Sequence, residues 1–593
     1  MKIEKKLIHL KSIFLLLIFT VHIKSEETAI SLNDISTEIT ADNYEIKSNV
    51  LTLTQNGDYK ISGTCSECQI GIKKETEVNL TIDSITIDNS KTGPFVIKKN
   101  AVLNLILNGQ SIITDNEPIE NESSTDETIQ DLFEGAGIKI KSSASLAISG
   151  TGKLTINGNT KNGIKGAANS KLFINSGNII ITAAKNALAC DNILTINGGN
   201  IKITSESDGI KAEPDSDDLE SKGTIEINGG EISIESQSDA IQAGYALIIN
   251  GGTFNIKTYK GSSATDFDKD TMSAKGLKCS TNEHENIENN LKITGGNFIF
   301  DTSDDAIHSD YNVTITGGTF DISSGDDAIH ADQFLVLGVL NANNNLINID
   351  IKKSYEGLEG SNIYIYSGKY NIISSDDGIN SAGDTDENCN NQNGIGPGQG
   401  GPGGPNGPGG GRMPMNLRYR NLQNQCNNFH IFIYGGEIYV NSGSDGLDAN
   451  GNINIFGGNL EIWGMSSGGD GDPIDKDGTL TITGGTILAG GSQGMEPIHK
   501  SENTISQNFI YSTNNVDANK EINIKDGDNV IRKITIPKRI NYLFYTSKET
   551  GSSYSFSDGN TIFKSGTKAQ SDNFSFYLSS LNILFYFLLL VIY

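Results

Sequence analysis

Between about residues 135 and 500, apolar and polar positions alternate one by one in short runs that end on glycine, asparagine, serine or an acid. A period of two is the signature of a strand with one buried face, whereas a helix would repeat near 3.6. Two motifs take turns along the chain. The first is a pair of runs joined by glycines, Leu194-Thr-Ile-Asn-Gly-Gly-Asn-Ile-Lys-Ile-Thr204, which recurs at Ile225–Ile234, Val313–Ile322 and Ile453–Ile462. The second is an acidic turn into a small residue and an aliphatic one: Asp208-Gly-Ile, Asp239-Ala-Ile, Asp305-Ala-Ile, Asp327-Ala-Ile, Glu356-Gly-Leu, Asp377-Gly-Ile, Asp445-Gly-Leu and Asp472-Pro-Ile.

Spacing turns these motifs into an architecture. Asp305 to Asp327, Asn175 to Asn197, Thr294 to Thr316 and Tyr434 to Phe456 are each 22 residues apart. A coil of that length with three short strands is one rung of a parallel β-helix, an all-β solenoid expected to be right-handed. Propeller blades need about 40 residues, and β-sandwiches keep no such fixed register. The expected order is a signal peptide (1–25), an N-terminal β cap with the first rungs (26–134), the β-helix (135–500), a closing β cap (501–565) and a hydrophobic C-terminal signal (566–593). A Gly/Pro-rich excursion at 384–428 is too polar to pack and leaves between two rungs. The acidic stretch Asp115–Asp131 reads as a mobile loop.

Stacked rungs make sequence spacing into adjacency. At the turn the column reads Asn162, Asn186, Asp208, Asp239, Lys275, Asp305, Asp327, Glu356, Asp377, Asp445, Asp472, with Asp304, Asp326 and Asp376 before it. Asp310 and Asp332 close their turns, and Glu359 and Asp448 follow three residues after the column. Two carboxylates about 5 Å apart repel by about 3 kcal/mol at an effective dielectric of about 20. Such a row calls for protonation, hydration or bridging cations, and clustered hard oxygens favour calcium. The expected ligands are therefore Asp208, Asp239, Asp304, Asp305, Asp310, Asp326, Asp327, Asp332, Glu356, Glu359, Asp376, Asp377, Asp445 and Asp448, densest at Asp304–Asp332 and Glu356–Asp377.

Lys275, alone in that row, reads as a counterion; its sharper reading is a general base beside calcium, with Lys211 and Lys278 as weaker candidates. His308 and His330 are expected to stack one rung apart and read as a surface pair, with a zinc site as the alternative. Before the glycine pair, the series Asn157, Asn175, Asn197, Asn228, Asn250, Thr294, Thr316 gives way to Tyr366, Tyr434 and Phe456. With Tyr364, Phe432 and Trp463 these form either a ledge for sugar rings or an aromatic ladder that protects the rungs.

Composition sharpens the picture at three points. The formal charge of −27 argues against nucleic acid and anionic lipid as partners. The basic and then apolar start, Lys2 to Phe19, and the apolar tail from Leu581 place the protein in the secretory pathway. It is expected at the cell surface, with a glycolipid anchor or a membrane tail as its only contact with the bilayer. Sequons at Asn79, Asn121, Asn312 and Asn573 agree with export. Six cysteines in an exported chain are expected to be mostly paired: Cys65 with Cys68 locally, Cys389 with Cys426 across the base of the excursion, and Cys190 and Cys279 unassigned.

The motifs also occur in a known order. Asp305-Ala-Ile-His-Ser-Asp310, Gly325-Asp-Asp-Ala-Ile-His-Ala-Asp332, Ser354-Tyr-Glu-Gly-Leu-Glu-Gly360 and Ser375-Asp-Asp-Gly-Ile-Asn380 precede the Gly-rich excursion; Gly443-Ser-Asp-Gly-Leu-Asp-Ala-Asn-Gly451 and Gly490-Gly-Ser-Gln-Gly-Met495 follow it. In this the chain, over roughly residues 45 to 560, resembles the β-helical carbohydrate-binding proteins, mostly bacterial surface proteins described as binding cellulose and acidic polysaccharide and similar in shape to calcium-dependent pectate lyases. The resemblance implies calcium-stabilised polysaccharide binding without established catalysis. A lyase with a lysine base and a structural or adhesive coat protein are the competing functions. Asn162, Asn186 and Pro473 depart from the family pattern.

Overall fold

The computed structural model describes residues 27–565, apart from 127–129, 131, 215–220, 281–289, 341–345, 383–428, 467–470, 496, 549–552 and 560. The signal segment, the C-terminal signal, the Cys389/Cys426 pair and the whole Gly/Pro-rich excursion at 384–428 lie outside the described residues.

The alternating runs are strands, and they stack in parallel from Thr28–Ser31 against Gly57–Ser66 to Leu480–Ile482 against Thr504–Ile505. One complete rung consists of Ile307–Ser309, Asn312–Ile315 and Gly318–Ser324. Each lies directly on its counterpart in the next coil: Ile307 over Ile329, Val313 over Leu335, Phe320 over Ile349. The inward positions form unbroken aliphatic and aromatic columns, all buried. Among them Phe254, Phe298 and Phe320 stack face to face at 4.5 and 4.7 Å. Each such side chain withdrawn from water contributes about 1.5–3 kcal/mol.

The glycines divide the work at the corner. The second of each pair takes the left-handed backbone, Gly199 at φ +104° and Gly318 at +120°, which side chains resist. The first has no room: a Cβ on Gly317 would sit 2.4 Å from the Thr294 carbonyl oxygen of the rung below. The small residue of the acidic turn answers to the same crowding, since a Cβ on Gly378 would lie 2.1 Å from Val440 Cγ1.

Three expectations change. Asn157 is not in the asparagine column: strand Lys153–Gly158 pairs with Asn178–Ala183, after the corner, because its own turn falls at Gly150, φ +109°. The acidic stretch from Asp115 begins packed, with Asp115 and Glu117 buried and Glu117 accepting the backbone N–H groups of Glu134 and Gly135. Cys65 and Cys68 are bonded, but Cys190 and Cys279 are buried free thiols. They share one inward column with the positions of Ala212 and Ala243 between them. Three rung steps of about 4.8 Å put them beyond disulfide reach.

The closing cap is antiparallel. Tyr542–Ser547 pairs with Thr486–Gly491 of the last coil and with Phe509–Ser512. A separate four-stranded sheet, Glu521–Asp526, Asn529–Thr535, Tyr554–Asp558 and Thr561–Ser565, packs a second core that includes Ile524, Ile540, Phe556 and Trp463.

Candidate functional site

The acidic turn residues do stack into one column. Ala306 N–H donates to the Asp327 carbonyl, Ala328 to Glu356, Gly357 to Asp377 and Gly378 to Asp445. The side chains carry a second ladder that the sequence did not reveal. Asp327 N–H donates to Asp305 Oδ1 at 3.0 Å, Glu356 N–H to Asp327 Oδ1 at 3.0 Å and Asp445 N–H to Asp377 Oδ1 at 2.8 Å. At these three steps one carboxylate oxygen is thus committed to the backbone of the next rung, whereas Glu356 accepts the Asn380 side-chain amide at 2.9 Å. Asn186 does the same for Asp208 N–H at 3.1 Å, which explains why an amide suffices in the early rungs.

Three residues after this column runs another, on the short strands that follow the turn. In register it reads Lys139, Lys165, Ala189, Lys211, Gln242, Lys278, His308, His330, Glu359, Asn380, Asp448. The two columns form a trough whose second wall changes from basic to acidic along the axis.

Where that wall is basic, the acids carry their own cations. Lys211 lies 3.3 Å from Asp208 and 2.8 Å from Glu213, and Lys278 lies 3.3 Å from Asp239. Lys275 Nζ donates to Asp304 Oδ1 at 2.8 Å and to Asp305 Oδ2 at 2.7 Å. Burial works against the Lys275 charge, but Asp305 and Asp304 outweigh it and hold the ammonium well above its ordinary value. A lysine so held is a counterion and a poor proton acceptor. Lys269 pairs with Asp326 at 2.9 Å. His308 bridges Asp305 (Nδ1–Oδ2, 2.8 Å) and Asp310 (Nε2–Oδ1, 2.9 Å). His330 lies between Asp327 (3.3 Å), Asp332 (3.1 Å) and Glu359 (2.5 Å). Burial opposes protonation of both rings, yet the carboxylates around them raise both pKa values. Among the described residues, ligand-type atoms converge within 4.8 Å in three groups, Asp305/His308/His330, Asp327/His330/Glu359 and Asp304/Asp305/Asp326; every one contains or contacts a protein cation.

Past Glu359, among the described residues, like charges face one another. Burial, then Asp327 and Glu359, push Glu356 up to about 9. Burial, then Asp377, Asp448 and Asp475, push Asp445 up to about 8, although Asp472 N–H donates to it. Asp448 rises to about 7 through burial beside Asp377, Asp475 and Asp477. Asp377 rises through burial and Asp376. The expected dense region is therefore uneven. Asp304–Asp332 has Lys275, Lys269, His308 and His330 beside its carboxylates, although burial still raises Asp326 and takes Asp327 to about 8. Glu356, Asp377, Asp445 and Asp448, by contrast, are raised by burial and by one another.

The aromatic series stands on the next strands. Tyr364 stacks on Phe432 at 5.0 Å and 16°, Tyr366 on Tyr434 at 5.1 Å, and Tyr434 on Phe456 at 4.9 Å. Phe334, which the motif pattern did not single out, extends the first stack at 6.4 Å from Tyr364. Rings stacked along the axis turn their faces to each other and their edges outward. Phe456, 41% exposed at the end of its stack, is the exception. Trp463 is not on this ledge: it is buried beneath the closing cap, its indole N–H donates to Glu461 Oε1 at 2.9 Å, and Gly490 leaves room for its ring. Upstream, the same column is an amide ladder, Asn197 to Asn175 at 2.8 Å, Asn228 to Asn197 at 2.9 Å and Asn250 to Asn228 at 2.8 Å. Of the sequons, Asn79 is exposed and in contact with Asp58, Asn121 lies in a short 3-10 turn, and Asn312 opens a strand.

Comparison with known proteins points to carbohydrate-binding relatives. Residues 47–328 match the family model described as "Carbohydrate-binding domain-containing protein". A protein of that description from Acetivibrio thermocellus is 34% identical over 172 residues, 27% of this chain and 57% of the relative. The matched stretch is thus a little over half of that relative's length. The solved structure of a polysaccharide lyase-like protein from C. thermocellum, a gadolinium derivative, is 26% identical and covers 45% of this chain and 96% of its own, with a TM-score of 0.35. The resemblance to the carbohydrate-binding family read from the motifs is therefore shown, over a shorter stretch than the motifs suggested.

Proposed function

We propose that the chain is a cell-surface polysaccharide-binding protein that holds uronate-rich or cellulosic polymer along the trough, with calcium at its acidic end and no bond cleavage. The observation that carries this reading is the change of charge along the trough. Protein cations stand beside the column as far as His330, and the carboxylates beyond it raise one another's pKa values. A buried set of hard oxygens crowded by like charges fits a divalent cation of calcium type. Glu356, Asp377, Asp445 and Asp448 would hold it, with Asp376 and Glu359 at its margin. When bound, calcium would keep these groups ionised and could attract the carboxylates of a uronate chain.

Support for a carbohydrate ligand comes from the family match over residues 47–328 and from the similar Acetivibrio protein. Lys275 is pinned between two carboxylates, which favours binding over lysine-based elimination. The surface location, the lipid anchor and glycosylation at Asn79, Asn121 and Asn312 belong to the same proposal and rest on the sequence.

The test is depletion of the protein from solution by insoluble pectate and cellulose, with calcium and again with chelator, while unsaturated products are assayed. Calcium-dependent retention without product supports the proposal. Unsaturated product that disappears in Lys275→Ala would make the protein a lyase, and retention on neither polymer would leave a coat protein.

A further inference from the structure

A cleft of about 500 Å³ lies away from the trough, between the third strand face of the solenoid and the closing cap. Its floor is one outward column in continuous register, Asp350, Asn371, Tyr439 and Glu461. Beside it Lys369 is aligned with Glu437 on adjacent strands. The wall is Arg532, carried on the cap strand Asn529–Thr535.

The parts are held in place by bonds made without a ligand. Asn371 Nδ2 donates to Asp350 Oδ1 at 2.6 Å. Glu461 accepts the Trp463 indole N–H with one oxygen and pairs with Arg532 through the other. That contact uses one of the five N–H donors of the guanidinium and leaves others for a guest. Tyr439 packs its inner side against the cap core and lines the cleft with the rest. Lys538 Nζ donates to the Ser442 carbonyl and ties the cap to the solenoid.

We propose that this cleft is a second saccharide site, selective for an uncharged sugar chain and independent of calcium. Three features carry the assignment. Planar amide, carboxylate and guanidinium groups are suited to pairs of sugar hydroxyls, and a tyrosine offers apolar contact for a ring. The floor side chains repeat at the ~4.8 Å of stacked strands, close to the length of one pyranose residue, so successive sugars meet successive rungs. The charges nearly cancel, with Asp350, Glu437 and Glu461 against Lys369 and Arg532, so the cleft offers a uronate chain no net positive charge. The volume falls within the ~300–1,000 Å³ usual for small-ligand sites.

The experiment is calorimetric titration of the full-length protein, in chelator, with cellohexaose, mannohexaose, laminarihexaose and a galacturonate hexamer. The expected result is binding of at least one neutral hexamer with no response to the galacturonate oligomer. Tyr439→Ala and Arg532→Ala should each weaken that binding about tenfold. Because Tyr439 also touches the cap core, Asn371→Ala, at a partly exposed floor position, serves as the second variant, and melting curves check that all three fold. Binding that is unchanged in all three variants, binding that disappears with chelation, or no neutral hexamer bound would each overturn the proposal. Loss of calcium-dependent pectate retention would bear on the trough alone, so the two sites fail separately.

Discussion

At the residue scale, the acidic column has two tasks that one substitution can separate. Asp377 gives Oδ1 to the Asp445 N–H at 2.8 Å, while burial and Asp376 raise its carboxyl. Asp377→Asn keeps an acceptor oxygen and removes the charge, so it should fold normally, melt no lower than wild type in chelator, and lose the gain in Tm on adding calcium. Asp377→Ala leaves a buried N–H without its partner and should cost about 1–3 kcal/mol in urea unfolding, with or without calcium. Lys275→Met should cost about 3 kcal/mol or more, because Asp304 and Asp305 are left as buried charges. The column itself was legible from the 22-residue spacing. The N–H acceptor role was not, because the donor belongs to the next rung, which is 22 residues on for Asp305 and 68 for Asp377. The basic wall was half legible: Lys211 and Lys278 stood out, but their union with His308, His330 and Glu359 needs the register through insertions that move the turn by 31, 36 and 30 residues between Asp208 and Asp305.

At the element scale, the strands are held in register by outward ladders as well as by the core. The amides of Asn175, Asn197, Asn228 and Asn250 form an exposed chain of side-chain hydrogen bonds. Replacing the central Asn228 with alanine breaks two of them and should lower stability by about 1 kcal/mol, measured by urea unfolding. The effect should be equal with and without calcium, since the ladder stands on a different strand from the trough. The switch from amides to stacked rings was readable as a switch but not as a function. A sequence shows that Tyr366, Tyr434 and Phe456 share a column; it does not show that their faces are turned to one another. Trp463 failed for a related reason. Its position reads as the end of an outward series, and the element that covers it, Tyr542–Ser547 with the sheet behind it, arrives about eighty residues later by antiparallel pairing that carries no 22-residue signal.

At the scale of the whole molecule, charge is distributed along an axis, and that distribution fixes how stability should depend on pH. Glu356, Asp445 and Asp448 have folded pKa values raised to about 9, about 8 and about 7 from ordinary values of 4.5, 3.8 and 3.8. Between the ordinary and the raised values the folded protein therefore binds more protons than the unfolded chain, and its stability falls as pH rises through that window. In chelator, the melting temperature should decline from pH 5 to pH 9. A tenfold difference in proton affinity between the folded and unfolded chain is worth about 1.4 kcal/mol, and less where solvent screens the group. On the proposed reading calcium would compete with those protons for the same oxygens, so it should bind weakly at pH 5 and strongly at pH 8, where its stabilisation should offset the decline. Differential scanning calorimetry across that pH range, with and without calcium, gives two curves that diverge upward in pH. If the curves coincide at pH 8, the acidic end of the trough holds no calcium, and its carboxylates are kept apart by protons and water alone.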